Sequence, residues 1–174
     1  MSIFKHIQSI ILLPTMVTVV IPGIIIYRTG TLNVGWSLPP PLSLAPSLGG
    51  IALLVLGLTL MAKTIALFAN VGQGTLAPWA PPERLVVRGI YRHVRNPMLS
   101  GVLFVLCGEA LLIRSIPLLE WFGLFLLINL IYIPLLEEPV LDKRFGQPYR
   151  LYRQNVPRWI PRLKPWDAPQ DRSS

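Results

Sequence analysis

The sequence predicts an all-α integral membrane protein, a helical bundle with about four transmembrane helices. Three observations carry that prediction. Apolar residues make up 52% of the 174 residues and charged residues only 14%, against about 25% charged in a soluble domain. The mean hydropathy is +0.55. The apolar residues are gathered into four runs, and the basic residues behind the net charge of +8 mostly flank those runs rather than interrupt them. The length suits one domain, residues 1–174, opening with a helical hairpin over 1–71.

The runs extend from Ser9 to Tyr27, Leu48 to Val71, Met98 to Ile113 and Ile116 to Leu136. Crossing about 30 Å of hydrocarbon takes about 20 apolar residues. The first, second and fourth runs meet that length. The third is short and carries Glu109, so it is expected to tilt, to pack inside the bundle, or to cross with Arg114 reaching outwards. The first run follows Lys5 but is not followed by an A-x-A type cleavage site, so it reads as a retained helix. Cys107, the one cysteine, lies within the third run and reads as a small buried apolar residue.

Charge sets the expected topology. Arg84, Arg88, Arg92 and Arg95 lie between the second and third runs. Lys143, Arg144, Arg150, Arg153, Arg158, Arg162, Lys164 and Arg172 follow the fourth. The positive-inside rule places these segments and both termini in the cytoplasm. Because the basic residues flank membrane helices, anionic lipid head groups rather than nucleic acid are the expected partner. The short loops point to a prokaryotic inner membrane.

Between the runs, residues 29–47 form a Pro- and Gly-rich outer loop in which Pro39, Pro40 and Pro41 exclude helix. Residues 72–97 begin Gly72-Gln73-Gly74-Thr75 and continue through Pro78, Pro81 and Pro82. Leu85-Val86-Val87 is short and ends in two β-branched residues, an extended strip at the membrane surface. Pro97 suits the first turn of the third helix. After the fourth run, helix is expected up to Phe145 and an end at Gly146. Tyr149 and Tyr152 are then spaced to share a helix face. Residues 163–174 are expected to be a loose tail.

Two features point to chemistry. Glu137 and Glu138 sit together at the end of a spanning helix, the negative end of its dipole. Adjacent carboxylates are unfavourable there unless the helix continues or cations pair with them. The other feature is Tyr91, Arg92, His93, Arg95 and Asn96 ahead of a proline-started helix. The short connection at Arg114-Ser115 makes the third and fourth helices antiparallel neighbours, so the two clusters are expected to converge on one polar pocket at the lipid boundary. Taken singly, Tyr91 and the arginines suit a membrane anchor as well as a site.

The stretch from Leu85 through Gly89, Tyr91, Arg95, Asn96 and Pro97 to Gly101 resembles the G-x-Y-x-x-x-R-H/N-P-x-Y-x-G signature of isoprenylcysteine carboxyl methyltransferases and phospholipid methyltransferases. Glu137-Glu138, Phe145-Gly146, Tyr149, Tyr152, Val156, Pro157 and Pro161 resemble the second motif of that family. The resemblance covers about residues 72–162 and rests on two ordered motifs at the right separation.

It implies an S-adenosylmethionine pocket built by the 72–97 loop and the C-terminal segment. Leu85, Val86, Tyr91, Asn96, Pro97, Met98 and Leu99 would line it, and Glu137 and Glu138 would hold polar groups of the cofactor. It implies methyl transfer to a lipid or lipophilic acceptor at the cytoplasmic membrane face, with Arg92 and Arg158 as candidate contacts to an acceptor phosphate or carboxylate. His93 and Glu138 are candidate bases for a protonated acceptor. Three positions depart from the pattern. Asn96 stands where many members have His, and Leu99 replaces the usual Tyr. Ile133 occupies the place where prenylcysteine enzymes carry an Arg for the substrate carboxylate. The alternatives are a membrane reductase of related fold that uses NADPH, and a non-catalytic membrane module.

Overall fold

The computed structural model describes residues 12–29, 39, 41–42, 44–71 and 85–167, without the side chains of 68–71. Among the described residues it is helical apart from the connections and the segment 156–167 that follows the last helix. Helix α1 is Leu12–Thr29. Helix α2 is Leu44–Val71, α3 is Pro97–Ile113, α4 is Ile116–Phe145 and α5 is Gln147–Asn155. Helices α1, α2 and α4 are long and apolar enough to cross a membrane. Helix α3 has 17 residues, a rise of about 26 Å. Of the alternatives open for this short run, packing inside the bundle is the one observed: most of its residues from Ser100 to Ala110 are buried.

Helix α3 can sit inside because glycines let α2 come against it. Gly57 lies against the backbone of Gly101, and Gly50 against that of Gly108. The two contacts lie seven residues apart on each helix and pair in opposite directions, so α2 and α3 are antiparallel. A Cβ on Gly57 would fall 2.7 Å from the Gly101 carbonyl oxygen. Apolar association gains little inside a bilayer, so close backbone approach is a main source of helix pairing there.

Helix α3 closes at Arg114, whose backbone is left-handed (φ 57°, ψ 41°). The Arg114 guanidinium donates to the Ser47 hydroxyl at the start of α2. Ser115 then caps α4 by accepting from the Leu118 N–H. The two-residue connection makes α3 and α4 antiparallel neighbours, as the sequence predicts.

Both α1 and α4 contain a wide turn beside a proline. In α1, Pro22 supplies no N–H, and the Ile21 N–H is taken by the Met16 carbonyl. The freed Val17 carbonyl accepts from the Trp121 indole of α4 at 3.2 Å. That bond joins α1 to a core of Val17, Val102 and Leu106, with Met61, Trp121, Phe122 and Phe125 packed against it. In α4 the wide turn is Ile133–Glu137, with Pro134 within it and Pro139 just after it. Helix α4 therefore runs on through 30 residues, about 45 Å, and its last turns extend past the hydrocarbon thickness. Glu137 and Glu138 lie on this extension, not at a helix end.

Candidate functional site

The site is built where the extension of α4 meets the segment that leads into α3. That segment starts with Leu85, Val86 and Val87 in non-helical backbone, turns through a short 3-10 helix at Gly89–Arg92, and reaches α3 at Pro97. Gly89 has φ +54°, a conformation that L side chains rarely adopt. After Gly146 (φ 59°) the chain reverses into α5.

Helix α5 is polar with one inward stripe, as its tyrosine spacing predicts. Tyr149, Tyr152 and Val156 are buried together, packed by Leu85, Val87, Leu141, Phe145 and Trp166. The Tyr152 ring lies between Tyr149 at 6.5 Å and Trp166 at 5.9 Å, centroid to centroid. Its hydroxyl donates to the Tyr91 carbonyl at 2.7 Å. Burial first, and then the neighbouring Tyr152 and Glu137, push the Tyr91 phenol far above its ordinary value. Burial likewise raises Tyr152, so both hydroxyls remain protonated donors at neutral pH. Tyr152→Phe is expected to cost about 1–2 kcal/mol by orphaning the Tyr91 carbonyl, read as a lower melting temperature in detergent.

Beyond α5 the chain straps the Tyr91–Asn96 turn from residue to residue. The Arg95 N–H donates to the Pro157 carbonyl at 2.9 Å and the Asn96 N–H to the Arg158 carbonyl at 3.4 Å. The Arg162 N–H donates to the His93 carbonyl at 2.9 Å, while His93 Nδ1 lies 2.8 Å from the Arg162 carbonyl. The Trp166 N–H donates to the Arg92 carbonyl, and Arg92 Nε returns a bond to the Trp166 carbonyl at 3.0 Å. Arg92 also pairs with Asp167. Residues 163–167, expected as part of a loose tail, are thus bound back onto the turn; residues 168–174 lie outside the described residues. The four backbone strap bonds satisfy N–H and C=O groups of the irregular turn that have no helix partner of their own.

The two adjacent carboxylates have different surroundings. Glu138 Oε1 accepts from Arg95 Nη1 at 2.8 Å, Arg158 Nε at 2.9 Å and Arg158 Nη2 at 2.8 Å. Its Oε2 lies 3.7 Å from Arg153. The Glu138 side chain is 7% exposed and that of Arg95 11%. Arg95 Nε also donates to the Val156 carbonyl at 2.9 Å. Glu138 therefore ties α4, α5, the strap and the turn into α3 through one carboxylate. Glu137 is half-buried and has no ion pair or hydrogen bond with the described residues. Its acceptor oxygens are available to a ligand, whereas Oε1 of Glu138 is committed to the guanidinium groups of Arg95 and Arg158.

The other expected residues fall as follows. Leu85 packs on the tyrosine cluster, and Val86 is half-buried beside it in sequence. Asn96 is half-buried at the entry to α3, and its side chain makes no cap bond. Pro97 is buried in the first turn, followed by the half-buried Met98 and Leu99. Ile133 is 1% exposed, a fully buried apolar side chain one turn before Glu137. Arg92 and Arg158, expected as substrate contacts, both carry structural bonds, Arg158 to Glu138 and Arg92 to the strap. Residues 72–84, which open the expected cofactor loop, lie outside the described residues.

The sequence places Arg95 in the candidate cluster but gives it no role of its own. The signal was the dicarboxylate itself, which demanded cations, and Arg95 was the basic residue closest to α3. Trp166 gave no comparable signal, because its partners are up to 74 residues away along the chain.

A family model described as phospholipid methyltransferase matches residues 45–148. The match takes in α2, α3, α4 and the Glu137-Glu138 pair, and ends at the start of α5. No curated protein and no solved structure matches the chain.

Proposed function

The chain belongs to the phospholipid methyltransferase family, and from that premise we propose that it uses S-adenosylmethionine to methylate a lipid or lipophilic acceptor at the cytoplasmic membrane face, with both termini cytoplasmic. The observation that carries the reading is the asymmetry of the two carboxylates: Glu138 is ion-paired with arginines, while Glu137 beside it makes no ion pair among the described residues.

The residues present suit this cofactor. The Glu137 carboxylate accepts hydrogen bonds from ribose hydroxyls or an ammonium group. Tyr91 offers a ring, and an aromatic face attracts a sulfonium or lies against adenine. Leu85, Val86, Met98 and Leu99 supply apolar walls, and Asn96 both donates and accepts. When bound, the cofactor supplies an electrophilic methyl group for in-line displacement. The protein's part is to orient the acceptor and to exclude water. The role of Glu138 in this reading is to position Glu137 and the turn through its ion pairs with Arg95 and Arg158. Ile133 puts no charge beside Glu137, so this pocket provides no cation there for an acceptor carboxylate.

Calorimetric titration of S-adenosylmethionine into detergent-purified protein tests the reading, with NADPH as control. The native chain is expected to bind saturably. Glu137→Ala is expected to weaken binding by about 10- to 100-fold, the equivalent of one or two bonds to a charged acceptor, while its melting temperature stays near that of the native chain. A folded native sample that ignores S-adenosylmethionine would sink the reading, and binding of NADPH in its place would point to reductive chemistry.

A further inference from the structure

We propose that residues 159–164 of the strap are an interfacial contact that seats the site on the anionic surface of the bilayer, with Ile160 and Leu163 entering the head-group and acyl boundary and Lys164 meeting anionic phospholipid. The depth of the strap comes from one bond. The Ser100 hydroxyl, inside the first turn of α3, donates to the Trp159 carbonyl at 2.8 Å. The strap backbone therefore reaches the level at which an apolar helix begins, so the next side chain lies at the height of the membrane boundary.

That side chain is Ile160, which is 74% exposed, and Leu163 beyond it is 98% exposed. Among the described residues neither is part of a buried cluster. Leu163 is flanked by Arg162 and by Lys164, an exposed side chain with no hydrogen bond or ion pair among the described residues. The strap between them is not free to collapse, because Arg162 is pinned to His93 on one side of Leu163 and Trp166 to Arg92 on the other. Two exposed apolar side chains and a cation, held rigidly at the level of a helix entrance, have the composition of an interfacial anchor. Charge complementarity selects an anionic lipid surface as the occupant.

The contact is independent of catalysis, so its test needs no substrate. A Cys107→Ala background carrying Leu163→Cys is labelled with an environment-sensitive fluorophore. The protein is placed in nanodiscs of phosphatidylcholine, or of phosphatidylcholine mixed with phosphatidylglycerol, with and without spin-labelled lipid. Gln154→Cys, at an exposed position of α5, is the comparison site. Leu163 packs against almost nothing, so labelling there leaves the fold intact; gel filtration checks this. Blue-shifted emission with several-fold stronger quenching at 163 than at 154, larger in the anionic discs, is the expected result. Lys164→Glu is expected to remove most of the increment due to phosphatidylglycerol. Emission at 163 that reports water in both discs overturns the proposal. So does quenching that is indifferent to anionic lipid and to Lys164→Glu, which would leave a contact without the proposed partner.

Discussion

Glu138→Ala is expected to destabilise the protein by about 3–5 kcal/mol, because it removes the carboxylate that is paired with the nearly buried Arg95 guanidinium and with Arg158. The loss is expected as a large drop in melting temperature and as early protease cleavage of the C-terminal segment, since the strap and α5 are tied to α4 through this carboxylate. Arg153→Ala is the contrast. Arg153 is 45% exposed and lies 3.7 Å from Glu138, so solvent screens the pair and the cost is expected to stay below about 1 kcal/mol. Equal costs for the two variants would show that the ion cluster is not centred on Glu138 and Arg95. The comparison also separates the carboxylates by role: Glu138→Ala is expected to act through stability, and Glu137→Ala through ligand affinity.

Gly57→Leu is expected to separate α2 from α3 and to leave little folded protein after extraction. Even an alanine Cβ at Gly57 would lie 2.7 Å from the Gly101 carbonyl oxygen and 2.9 Å from the Val105 side chain. The nearest obstacle is backbone, which cannot move aside as a long side chain can. Overpacking of this kind costs about 1–3 kcal/mol for a small addition and more for a large one. Gly101→Leu meets the same contact from the other helix, with the Met61 side chain at 2.7 Å and the Gly57 carbonyl at 2.9 Å. Gly123→Ala is the control, since nothing lies within 4 Å of its Cβ position. There the gain in helix propensity, up to about 1 kcal/mol, is expected to raise the melting temperature slightly. Thermal unfolding in one detergent compares the three.

Much of this architecture was legible because membrane helices announce themselves by length and composition. The boundaries at Pro97, Arg114-Ser115 and Gly146 followed from local rules: proline in a first turn, a short reversal, and glycine past a helix end. The carboxylate pair could be read as far as a choice. Glu137-Glu138 required either a continuing helix or nearby cations, and the structure supplies both. It could not be read which carboxylate takes the cations, because Arg95 and Arg158 arrive from segments 43 and 20 residues away in sequence.

The expectation of a loose tail through residues 163–167 failed for a related reason. A polar, proline-containing segment has no period of its own, and its order comes from backbone bonds to His93 and Arg92. The glycine seam between α2 and α3 was likewise silent, since Gly49, which adjoins Gly50, has nothing within 4 Å.

The sequence by itself determined that this chain is a helical membrane protein, where its spans fall, and that two ordered motifs of its family lie on either side of an antiparallel helix pair. These are properties of composition, local backbone preference and spacing, each readable within a short window. Only the tertiary structure decided which of two adjacent carboxylates is held by arginines and that the C-terminal strap closes over the Tyr91–Asn96 turn. Both are set by side chains and carbonyls brought together across tens of residues, where burial makes an unpaired charge or backbone group costly enough to select one arrangement.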